Sequence, residues 1–496
     1  MERGDSRAGT SVPRAVTLDG ERLSVEDVVA VARGAEVRIA ADAAARAERS
    51  RKALEAILDS GEAVYGVNTG FGPLKSEIVP PQHRLDLQAN LVRSHAMGVG
   101  NPLPKEVVRA AMLLVAATHL RGHSGVDARP AEALCARLNS DDIPDVPEMG
   151  SLGASGDLAP LAHIALAMVE SGVTLREKEG LSLINGTHVH TGIAALLIPE
   201  AELLAKAADV ACAMNLEAML CSAQPFQERV HRLRPHPHQQ RSAWNIARLI
   251  ERSELIQSHA NCGEVQDAYS IRCAPQVHGA ARNAIAHLRD VVEVELQSVT
   301  DNPLVFEDAV LSAGHFHGEP VGLALDYAKI GVAELASISE RRSDRCLNQA
   351  TNRGLPPFLT DSPGLSSGMM ICQYTAAALV SENKVLAHPS CVDSLTTGAN
   401  QEDHVSMAMN AALHARRVMA NTRTVLAIEL AIGAQALDCR RAMQSDAPGE
   451  GVRAAWQAVR EQIPTLDGDR SLSVEIQALD IARVIEAVET AIGALE

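Results

Sequence analysis

The chain of 496 residues carries 45 basic and 62 acidic side chains, which gives a formal net charge of −17 at pH 7. A charge of this sign repels phosphate backbones and anionic lipid head groups, so neither nucleic acid nor a membrane surface is expected as the main partner. Only 2% of the residues are aromatic, which disfavours a large β-sandwich core and suits packed helices.

The cysteines and the N-terminus indicate the compartment. The nine cysteines include no C-x-x-C pair, so neither a disulfide framework nor a cysteine zinc site is expected, and a reducing cytoplasm fits best. The first ten residues are charged and lack the apolar stretch of a secretory signal. The best apolar run, from Ala110 to Thr118, is too short to span a membrane.

The first part of the chain is predicted to alternate short helices with glycine-rich loops. After about fifteen N-terminal residues that are expected to be disordered, residues 23–60 indicate short helices. Three glycines in the eight residues from Tyr65 predict a loop. Pro102 and Pro104 predict the start of a helix that runs to about Leu120.

The second half is predicted to be strongly helical. Apolar side chains recur at spacings of four and three residues, as expected for helices that pack along one another. The clearest stripes are Val321, Leu325, Ala328, Val332 and Leu335, and Ile481, Val484, Ile485, Val488, Ile492 and Leu495. A further helix is expected from about Ser366 to Ala387, ending before Pro389. Pro199 interrupts an otherwise helical stretch and is the best candidate for a boundary.

The most informative segment is Gly150-Ser-Leu-Gly-Ala-Ser-Gly-Asp-Leu-Ala-Pro-Leu161. Small residues fill its first part, and a helix is predicted to begin at its end, with Asp157 placed to cap it. Ser155 therefore lies just before a helix N-terminus, where free N–H groups and the helix dipole favour developing negative charge.

Three interpretations of this segment compete. The first is a glycine-rich turn ahead of a helix. The second is a nucleophile elbow, but the G-x-S-x-G pattern fails because Asp157 follows Gly156. The third is backbone cyclisation, in which the amide nitrogen of Gly156 attacks the carbonyl carbon of Ala154. Loss of two waters, one of them from Ser155, would leave a conjugated methylidene, and small residues suit the tight geometry.

The third interpretation coincides with a resemblance to a known family. Ala154-Ser-Gly-Asp-Leu-Ala-Pro-Leu161 resembles the signature of the aromatic amino acid ammonia-lyases, which use a methylidene-imidazolone electrophile. Six further segments resemble family motifs in the same order along the chain. They are Tyr65-Gly-Val-Asn-Thr-Gly-Phe-Gly72, Asn185-Gly-Thr187, Val265-Gln-Asp-Ala-Tyr-Ser-Ile-Arg-Cys-Ala-Pro-Gln276, Asp301-Asn-Pro-Leu-Val305, Phe316-His-Gly-Glu-Pro320 and Asn400-Gln-Glu-Asp-His-Val-Ser406.

The resemblance implies an all-α, fumarase/aspartase-like fold. Residues 1–198 would form an N-terminal domain carrying the Ala-Ser-Gly electrophile, and residues 199–496 would form a long central helical bundle and the C-terminal helices. The resemblance also implies a homotetramer whose active sites are shared between subunits, with no metal and no dissociable cofactor. The stretch between Ala167 and Asn185 is shorter than in relatives, which indicates either a lost peripheral element or an atypical chain.

The resemblance also implies roles for individual residues. Ala154, Ser155 and Gly156 would form the electrophile, and Tyr65 matches the catalytic base. Arg272 matches the residue that binds the substrate carboxylate, for which a guanidinium fork is suited. The remaining matches orient the substrate and the electrophile or pack beside them: Asn185, Gln266, Phe316 and Tyr269, the last of which is counted with the catalytic residues.

Two positions predict which amino acid is deaminated. His95 matches the family's specificity position, where histidine lyases resemble the Ser94-His95 pair, although tyrosine lyases also use a histidine there. Glu402 matches a glutamate of the histidine lyases, and a carboxylate can accept the ring N–H of an imidazole. The prediction is a histidine ammonia-lyase that gives trans-urocanate and ammonia. A phenylalanine or tyrosine lyase, an aminomutase with the same electrophile, and a non-catalytic helical scaffold are the alternatives.

Several of these residues also have a structural interpretation. Tyr65 could be a loop aromatic, Asn185 a turn residue, Arg272 a solvated charge, Phe316 a core side chain and Glu402 half of an ion pair. The H-x-H pairs, His188/His190, His236/His238 and His315/His317, could ligate zinc or copper. No carboxylate-bearing cluster is evident beside them, so no metal site is expected, and a metal-dependent hydrolase is a distant alternative.

Overall fold

The computed structural model describes residues 15–260 and 262–496, so the disorder predicted for the extreme N-terminus falls outside the described residues. The described chain is predominantly helical, which confirms the predicted all-α class. Its α-helices are α1 (Val25–Ala32), α2 (Ala41–Asp59), α3 (Arg84–His95), α4 (Lys105–Leu120), α5 (Arg129–Asn139), α6 (Leu158–Glu170), α7 (Glu179–Ile184), α8 (His188–Ala218), α9 (Glu228–His231), α10 (Pro237–Leu249), α11 (Glu254–Ser258), α12 (Tyr269–Arg272), α13 (Ala274–Glu295), α14 (Glu319–Leu347), α15 (Met370–Leu386), α16 (Ala408–Met443), α17 (Glu450–Arg460), α18 (Ser473–Ala478) and α19 (Ile481–Ile492).

Six short strands form three two-stranded sheets among the described residues. β1 (Val16–Leu18) and β2 (Val37–Ile39) are parallel, with Val16 opposite Val37. The other two pairs are antiparallel: β3 (Val99–Pro102) with β4 (Pro147–Met149), and β5 (Leu304–Val305) with β6 (Val310–Leu311). These strands are too short to form a sheet core, so the core of the protein is helical. No helix among the described residues is both long and apolar enough to cross a membrane.

The chain divides into two compact units. The first contains the chain up to Ile198 together with Leu288–Asp326 and Pro389–Leu413, and the second contains Pro199–His287, Tyr327–His388 and His414–Glu496. The division predicted from the sequence, 1–198 and 199–496, has the same boundary after residue 198. It differs in placing Leu288–Asp326 and Pro389–Leu413 in the second domain, whereas the structure places them in the first unit. Pro199 does not end a helix as expected, because α8 continues through it. A proline removes one backbone donor, and the hydrogen bonds around it can remain.

Most local predictions in the first unit agree with the structure. Helix α4 follows Pro104 and ends at Leu120, as predicted, and all but its first two residues are buried. Helix α1 begins with a capping box in which the Ser24 side chain and the Asp27 side chain each accept a backbone N–H. The buried Arg109 of α4 donates hydrogen bonds to the carbonyl oxygens of Val31 and Leu138, at 2.9 and 3.1 Å. These bonds join α4 to α1 and α5.

The second unit is organised around a buried network of charged side chains. Arg342 of α14 makes a two-pronged ion pair with Glu429 of α16, at 2.5 and 2.9 Å, and both side chains are fully buried. Asp209 of α8 accepts hydrogen bonds from His278 and Arg282 of α13, at 2.7 and 2.6 Å. Buried charges are tolerated when they are paired in this way. The network therefore specifies how these helix segments pack within the unit.

The predicted apolar stripes are core positions, but one helix begins later than expected. In α14 and α19 the stripe residues are buried, except for the half-buried Ile492 near the chain end. Helix α15 begins at Met370 rather than near Ser366. Gly368 has a φ of +57°, and a Cβ there would lie 2.4 Å from the carbonyl oxygen of Phe358. This left-handed residue prevents the helix from extending further back.

Candidate active site

A cavity of about 890 Å³ lies in the first unit. Its walls come from the glycine-rich loop after α2, from α3, from the segment ahead of α6, from the end of α7 and from the loops ahead of α14 and α16. A concave site with a few convergent polar groups is typical of small-molecule binding. The cavity brings together seven of the residues proposed from the sequence: Tyr65, His95, Ala154, Ser155, Asn185, Phe316 and Glu402.

The Ala-Ser-Gly tripeptide, residues 154–156, is held between hydrogen-bonded neighbours. Gly156 has a φ of +75°, and a Cβ there would lie 2.0 Å from the carbonyl oxygen of Gly186, so only glycine fits. The amide of Gly186 donates to the carbonyl of Ser155 at 3.3 Å, and that of Asp157 donates to Gly186 at 2.8 Å. Among the described residues the Gly156 amide itself has no hydrogen-bond partner. The nitrogen needed for cyclisation is therefore unengaged, while the backbone on both sides is fixed.

Asp157 occupies the N-cap position of α6, but its side chain does not cap that helix as predicted. One carboxylate oxygen instead accepts the backbone N–H groups of Val189 and His190 at the start of α8, at 2.8 and 2.9 Å. The other oxygen accepts a hydrogen bond from the Ser151 hydroxyl at 2.9 Å. Asp157 thus caps α8 and joins it to the residue after the tripeptide.

The charge on Asp157 is compensated although the side chain is completely buried. Burial by itself raises the pKa of this carboxyl, but the His190 ring 2.9 Å away and the hydrogen bonds outweigh it, and the pKa is lowered. The same attraction raises the pKa of His190 against the effect of its own burial. Asp157 is therefore ionised, and its hydrogen bonds to α8 fix the backbone immediately after the tripeptide.

Tyr65 lies in the glycine-rich loop that forms one wall of the cavity. Its hydroxyl oxygen accepts the backbone N–H of Gly72 at 3.0 Å, and its ring meets that of Phe71 edge-on, with centroids 6.4 Å apart. These contacts fix the position of the Tyr65 hydroxyl at the cavity wall. Gln88 of α3 anchors the loop, because its side-chain amide donates a hydrogen bond to the carbonyl oxygen of Gly66 at 3.1 Å.

Asn185 is buried at the end of α7. Its position depends on a buried ion pair, Lys178 and Asp301, that the sequence motifs do not predict. The amide nitrogen of Asn185 donates to the carbonyl of Asn302 at 3.0 Å, and its Oδ1 has no partner among the described residues. Lys178 donates to both carboxylate oxygens of Asp301, at 2.9 and 2.8 Å, and neither side chain is exposed. The pair fixes the Asp301-Asn302 segment and so orients Asn185. The signal in the sequence was the Asp-Asn-Pro motif, but nothing local linked it to Lys178.

Glu402 faces the tripeptide across the cavity. The Ser155 hydroxyl donates to its Oε1 at 3.5 Å, and the Thr397 hydroxyl donates to its Oε2 at 2.8 Å. No lysine or arginine among the described residues forms an ion pair with it. One oxygen of this carboxylate is therefore nearly free to accept a hydrogen bond from a bound molecule.

His95 is held in one tautomer near Glu402. Its Nδ1 lies 2.9 Å from the carbonyl oxygen of Leu91, and a carbonyl can only accept, so Nδ1 carries the hydrogen. Burial lowers the pKa of His95 more than this carbonyl and the charge of Glu402 raise it. The ring is therefore neutral near pH 7, and its Nε2 is left as an acceptor.

Four of the eleven residues proposed from the sequence do not line this cavity, and one of these four is Gly156, which is buried behind the cavity-lining Ala154 and Ser155. Gln266, Tyr269 and Arg272 belong to the second unit. Gln266 and Tyr269 are exposed, and the Arg272 guanidinium lies 4.6 Å above the centre of the Tyr269 ring. The Nε atom of Arg272 is buried without a hydrogen-bond partner among the described residues. The first unit by itself therefore supplies seven of the eleven predicted site residues to the cavity lining.

One group of side chains among the described residues could hold a metal ion. His317, Glu319 and His404 each offer one ligand atom, and these atoms all lie within 4.8 Å of one another. The expectation that no carboxylate accompanies the H-x-H pairs is therefore wrong for His317. The sequence motifs do not reveal this group, because His404 is 87 residues from His317 in the sequence.

Comparison with known proteins agrees with the geometry. The family described as "Aromatic amino acid lyase" matches residues 23–173 and 170–461. The histidine ammonia-lyase of Gloeobacter violaceus is 49% identical, with 97% of this chain and 99% of that protein covered. Among solved structures, a tyrosine aminomutase from Streptomyces globisporus superposes with a TM-score of 0.90 at 35% identity, covering 97% of this chain and 100% of that one. A histidine ammonia-lyase from Trypanosoma cruzi superposes with a TM-score of 0.86 at 37% identity, covering 96% of both. The chain belongs to the aromatic amino acid lyase family.

Proposed function

We propose that the protein is a histidine ammonia-lyase, which converts L-histidine to trans-urocanate and ammonia. The observation that carries this proposal is the carboxylate of Glu402, which lies 3.5 Å from Ser155 without a basic partner among the described residues. An imidazole ring N–H can pair with this carboxylate, whereas a phenyl ring would leave a partly buried charge unpaired. The high identity to the Gloeobacter violaceus histidine ammonia-lyase supports the same substrate.

Deamination or rearrangement of tyrosine is the second candidate. The similarity to a tyrosine aminomutase structure favours it, and the acceptor Nε2 of His95 could take the hydrogen of a phenol. Glu402 argues against it, because a carboxylate next to a phenol offers a second acceptor to a single donor. The two candidates are separated by measuring turnover of L-histidine, L-phenylalanine and L-tyrosine, with product absorbance and ammonia release as readouts. Histidine is expected to have by far the highest kcat/KM.

The tripeptide 154–156 is proposed to become a 4-methylidene-imidazol-5-one. The amide nitrogen of Gly156 would bond to the carbonyl carbon of Ala154, and two waters would leave. The first takes the carbonyl oxygen of Ala154 and the amide hydrogens of Gly156 and Ser155, and the second takes the Ser155 hydroxyl and its Cα hydrogen. The unengaged Gly156 amide and the space that only glycine fits support this chemistry. Once formed, the group supplies an electron-poor carbon that accepts a nucleophile.

The side chains around the cavity have complementary tasks in this proposal. Tyr65 Oη, which already accepts the Gly72 N–H, removes a proton from the substrate carbon next to the one that bears nitrogen. That C–H bond and the C–N bond break, a carbon–carbon double bond forms, and ammonia leaves. The free Oδ1 of Asn185 is placed to orient a polar group, and Phe316 packs against the bound ring. Glu402 holds the imidazole.

The proposed assembly is a homotetramer with shared active sites. Gln266, Tyr269 and Arg272 belong to the second unit, outside the cavity lining of the first, and the Tyr269 side chain is 70% exposed, so in this proposal they complete the cavity of another subunit. In that assembly Arg272 would bind the substrate carboxylate. Inactive Tyr65→Phe and inactive Arg272→Ala proteins, refolded together, should regain part of the activity. Refolding each variant alone is the control, and a fully active monomer would contradict the assembly.

The electrophile is tested by the intact mass of the folded protein. The mass should fall short of the sequence mass by two waters, with the deficit located in the peptide that contains Ser155. Ser155→Ala should abolish the deficit and the turnover of all three amino acids. A soluble, folded wild-type protein with an unmodified tripeptide would refute the proposal.

The proposed setting of the protein is the cytoplasm, in keeping with the free thiols of all nine cysteines.

A further inference from the structure

The three metal-capable side chains come from two segments of the cavity wall. His317 directly follows Phe316 in the loop ahead of α14, and Glu319 is the first residue of that helix. His404 is two residues beyond Glu402 and is exposed. His317 and His404 both line the cavity, and their ring centroids are 5.9 Å apart. We refer to His317, Glu319 and His404 as the rim triad.

The hydrogen bonds of His317 leave one ring nitrogen able to bind a cation. Its Nε2 lies 3.2 Å from the backbone carbonyl oxygen of His404, and because a carbonyl only accepts, Nε2 carries the hydrogen. In the neutral ring, Nδ1 then has the lone pair, and its one contact is a long 3.4 Å hydrogen bond from the Glu319 amide. A histidine that donates one ring N–H to a carbonyl and offers the other nitrogen is the usual arrangement of a metal ligand.

The carboxylate of Glu319 lacks a compensating partner. Its Oε2 is buried and makes no hydrogen bond to any described residue. A buried carboxylate oxygen without a partner is costly, and such groups are rare in folded proteins unless an ion or water satisfies them. Neither His317 nor His404 forms an ion pair with Glu319 within 4.0 Å among the described residues. A cation placed between the three side chains would remove this cost.

We propose that the rim triad binds one divalent transition-metal cation of the zinc class. Two imidazole nitrogens and one carboxylate oxygen form a set that suits Zn²⁺, Co²⁺ or Ni²⁺, whereas Mg²⁺ and Ca²⁺ prefer oxygen ligands alone. Ligand atoms around a tetrahedral zinc ion are about 3.4 Å apart, given bonds of about 2.1 Å. The present 4.8 Å limit therefore requires a modest inward movement, for which the exposed His404 is free.

Binding would connect two parts of the wall that are distant in sequence. The segment of Phe316 and His317 would be joined to that of Glu402 and His404 through one ion. Three protein ligands leave a coordination position for water or another small ligand. The ion would also stabilise the folded protein, because it binds the native arrangement and not the unfolded chain. The proposal does not depend on which amino acid is deaminated.

The test is a metal titration of the full-length protein after treatment with a chelator and desalting. Zn²⁺ alone, followed by calorimetry, should bind with one site per chain, and Zn²⁺ should raise the melting temperature. Co²⁺ alone should give the visible absorption of a low-symmetry, four- or five-coordinate site. Mg²⁺ should give neither a heat signal nor a shift in melting temperature.

Variants decide whether the rim triad is the site. His404→Ala removes an exposed ligand, and Glu319→Gln keeps the shape of the side chain, so each should fold. Each should weaken Zn²⁺ binding by at least about tenfold and remove the Co²⁺ absorption. His315→Ala is the matched control, because this exposed histidine lies two residues from His317 but outside the triad, and its binding should equal that of the wild type. Absence of a one-per-chain site, or unchanged affinity in His404→Ala, would overturn the proposal.

Discussion

Replacing Glu402 by glutamine tests whether this carboxylate selects the substrate. The Thr397 hydroxyl donates to Oε2 at 2.8 Å, a bond that an amide oxygen can also accept, so the new side chain should keep its position. The other oxygen, whose contact with Ser155 is 3.5 Å long, would become an NH₂ group. That group would meet the ring N–H of histidine as one donor facing another.

The size of the effect follows from the loss of a charge-assisted hydrogen bond. Such a bond contributes about 1.5–3 kcal/mol, which corresponds to about a 10- to 150-fold lower kcat/KM for L-histidine. A phenyl ring makes no hydrogen bond to Glu402, so kcat/KM for L-phenylalanine should stay within about threefold of its wild-type value. The ratio of kcat/KM for L-histidine to kcat/KM for L-phenylalanine should therefore fall by nearly the same factor as kcat/KM for L-histidine itself.

The assay follows product absorbance and ammonia release for both amino acids, with the mass deficit of the tripeptide confirming that each variant still forms its electrophile. Asp403→Asn is the matched control, because it removes one negative charge from an exposed neighbour that also lines the cavity. If the charge of the cavity matters more than the contact, both variants should lose activity equally. That outcome, or a Glu402→Gln enzyme with unchanged selectivity, would refute the assignment of Glu402 to the imidazole.

Three other changes test the supporting structure. Lys178→Met leaves the buried carboxylate of Asp301 unpaired and should lower the free energy of unfolding in urea by about 3–5 kcal/mol, whereas adding Asp301→Leu should recover much of that loss. Gly156→Ala places a Cβ 2.0 Å from a neighbouring carbonyl oxygen and should abolish the two-water mass deficit, while Gly172→Ala, whose Cβ meets nothing within 4 Å, should keep it. Burial raises the pKa of Glu217 from 4.5 to about 8. The folded state therefore holds a proton that the unfolded chain has released, so stability from this group is full below about pH 4.5 and is lost as the pH rises to about 8. Glu217→Gln should flatten the decline in melting temperature between pH 5 and 9, and a parallel decline in both proteins would contradict the raised pKa.

The periodicity of the sequence predicted local structure well because helix formation is local. The stripes from Val321 and from Ile481 repeat every three or four residues, and both belong to buried helix faces. The pattern names the face that is buried but not its partner. The assignment of Leu288–Asp326 and Pro389–Leu413 to the first unit could therefore not be deduced, because it depends on which distant segments pack together.

The candidate site divides in the same way. The sequence by itself determined the Ala-Ser-Gly tripeptide and the helix that follows it. Both are contiguous in the chain, and the small residues indicate that the backbone there must adopt a tight geometry. Only the tertiary structure decided that Asp157 caps α8 instead of α6, since a carboxylate binds whichever N–H groups the fold brings to it. The rim triad likewise exists only where the chain brings His404 beside His317 and Glu319. Charges and hydrogen bonds act over a few ångströms in space, so residues that are far apart in sequence interact only after the helices have packed.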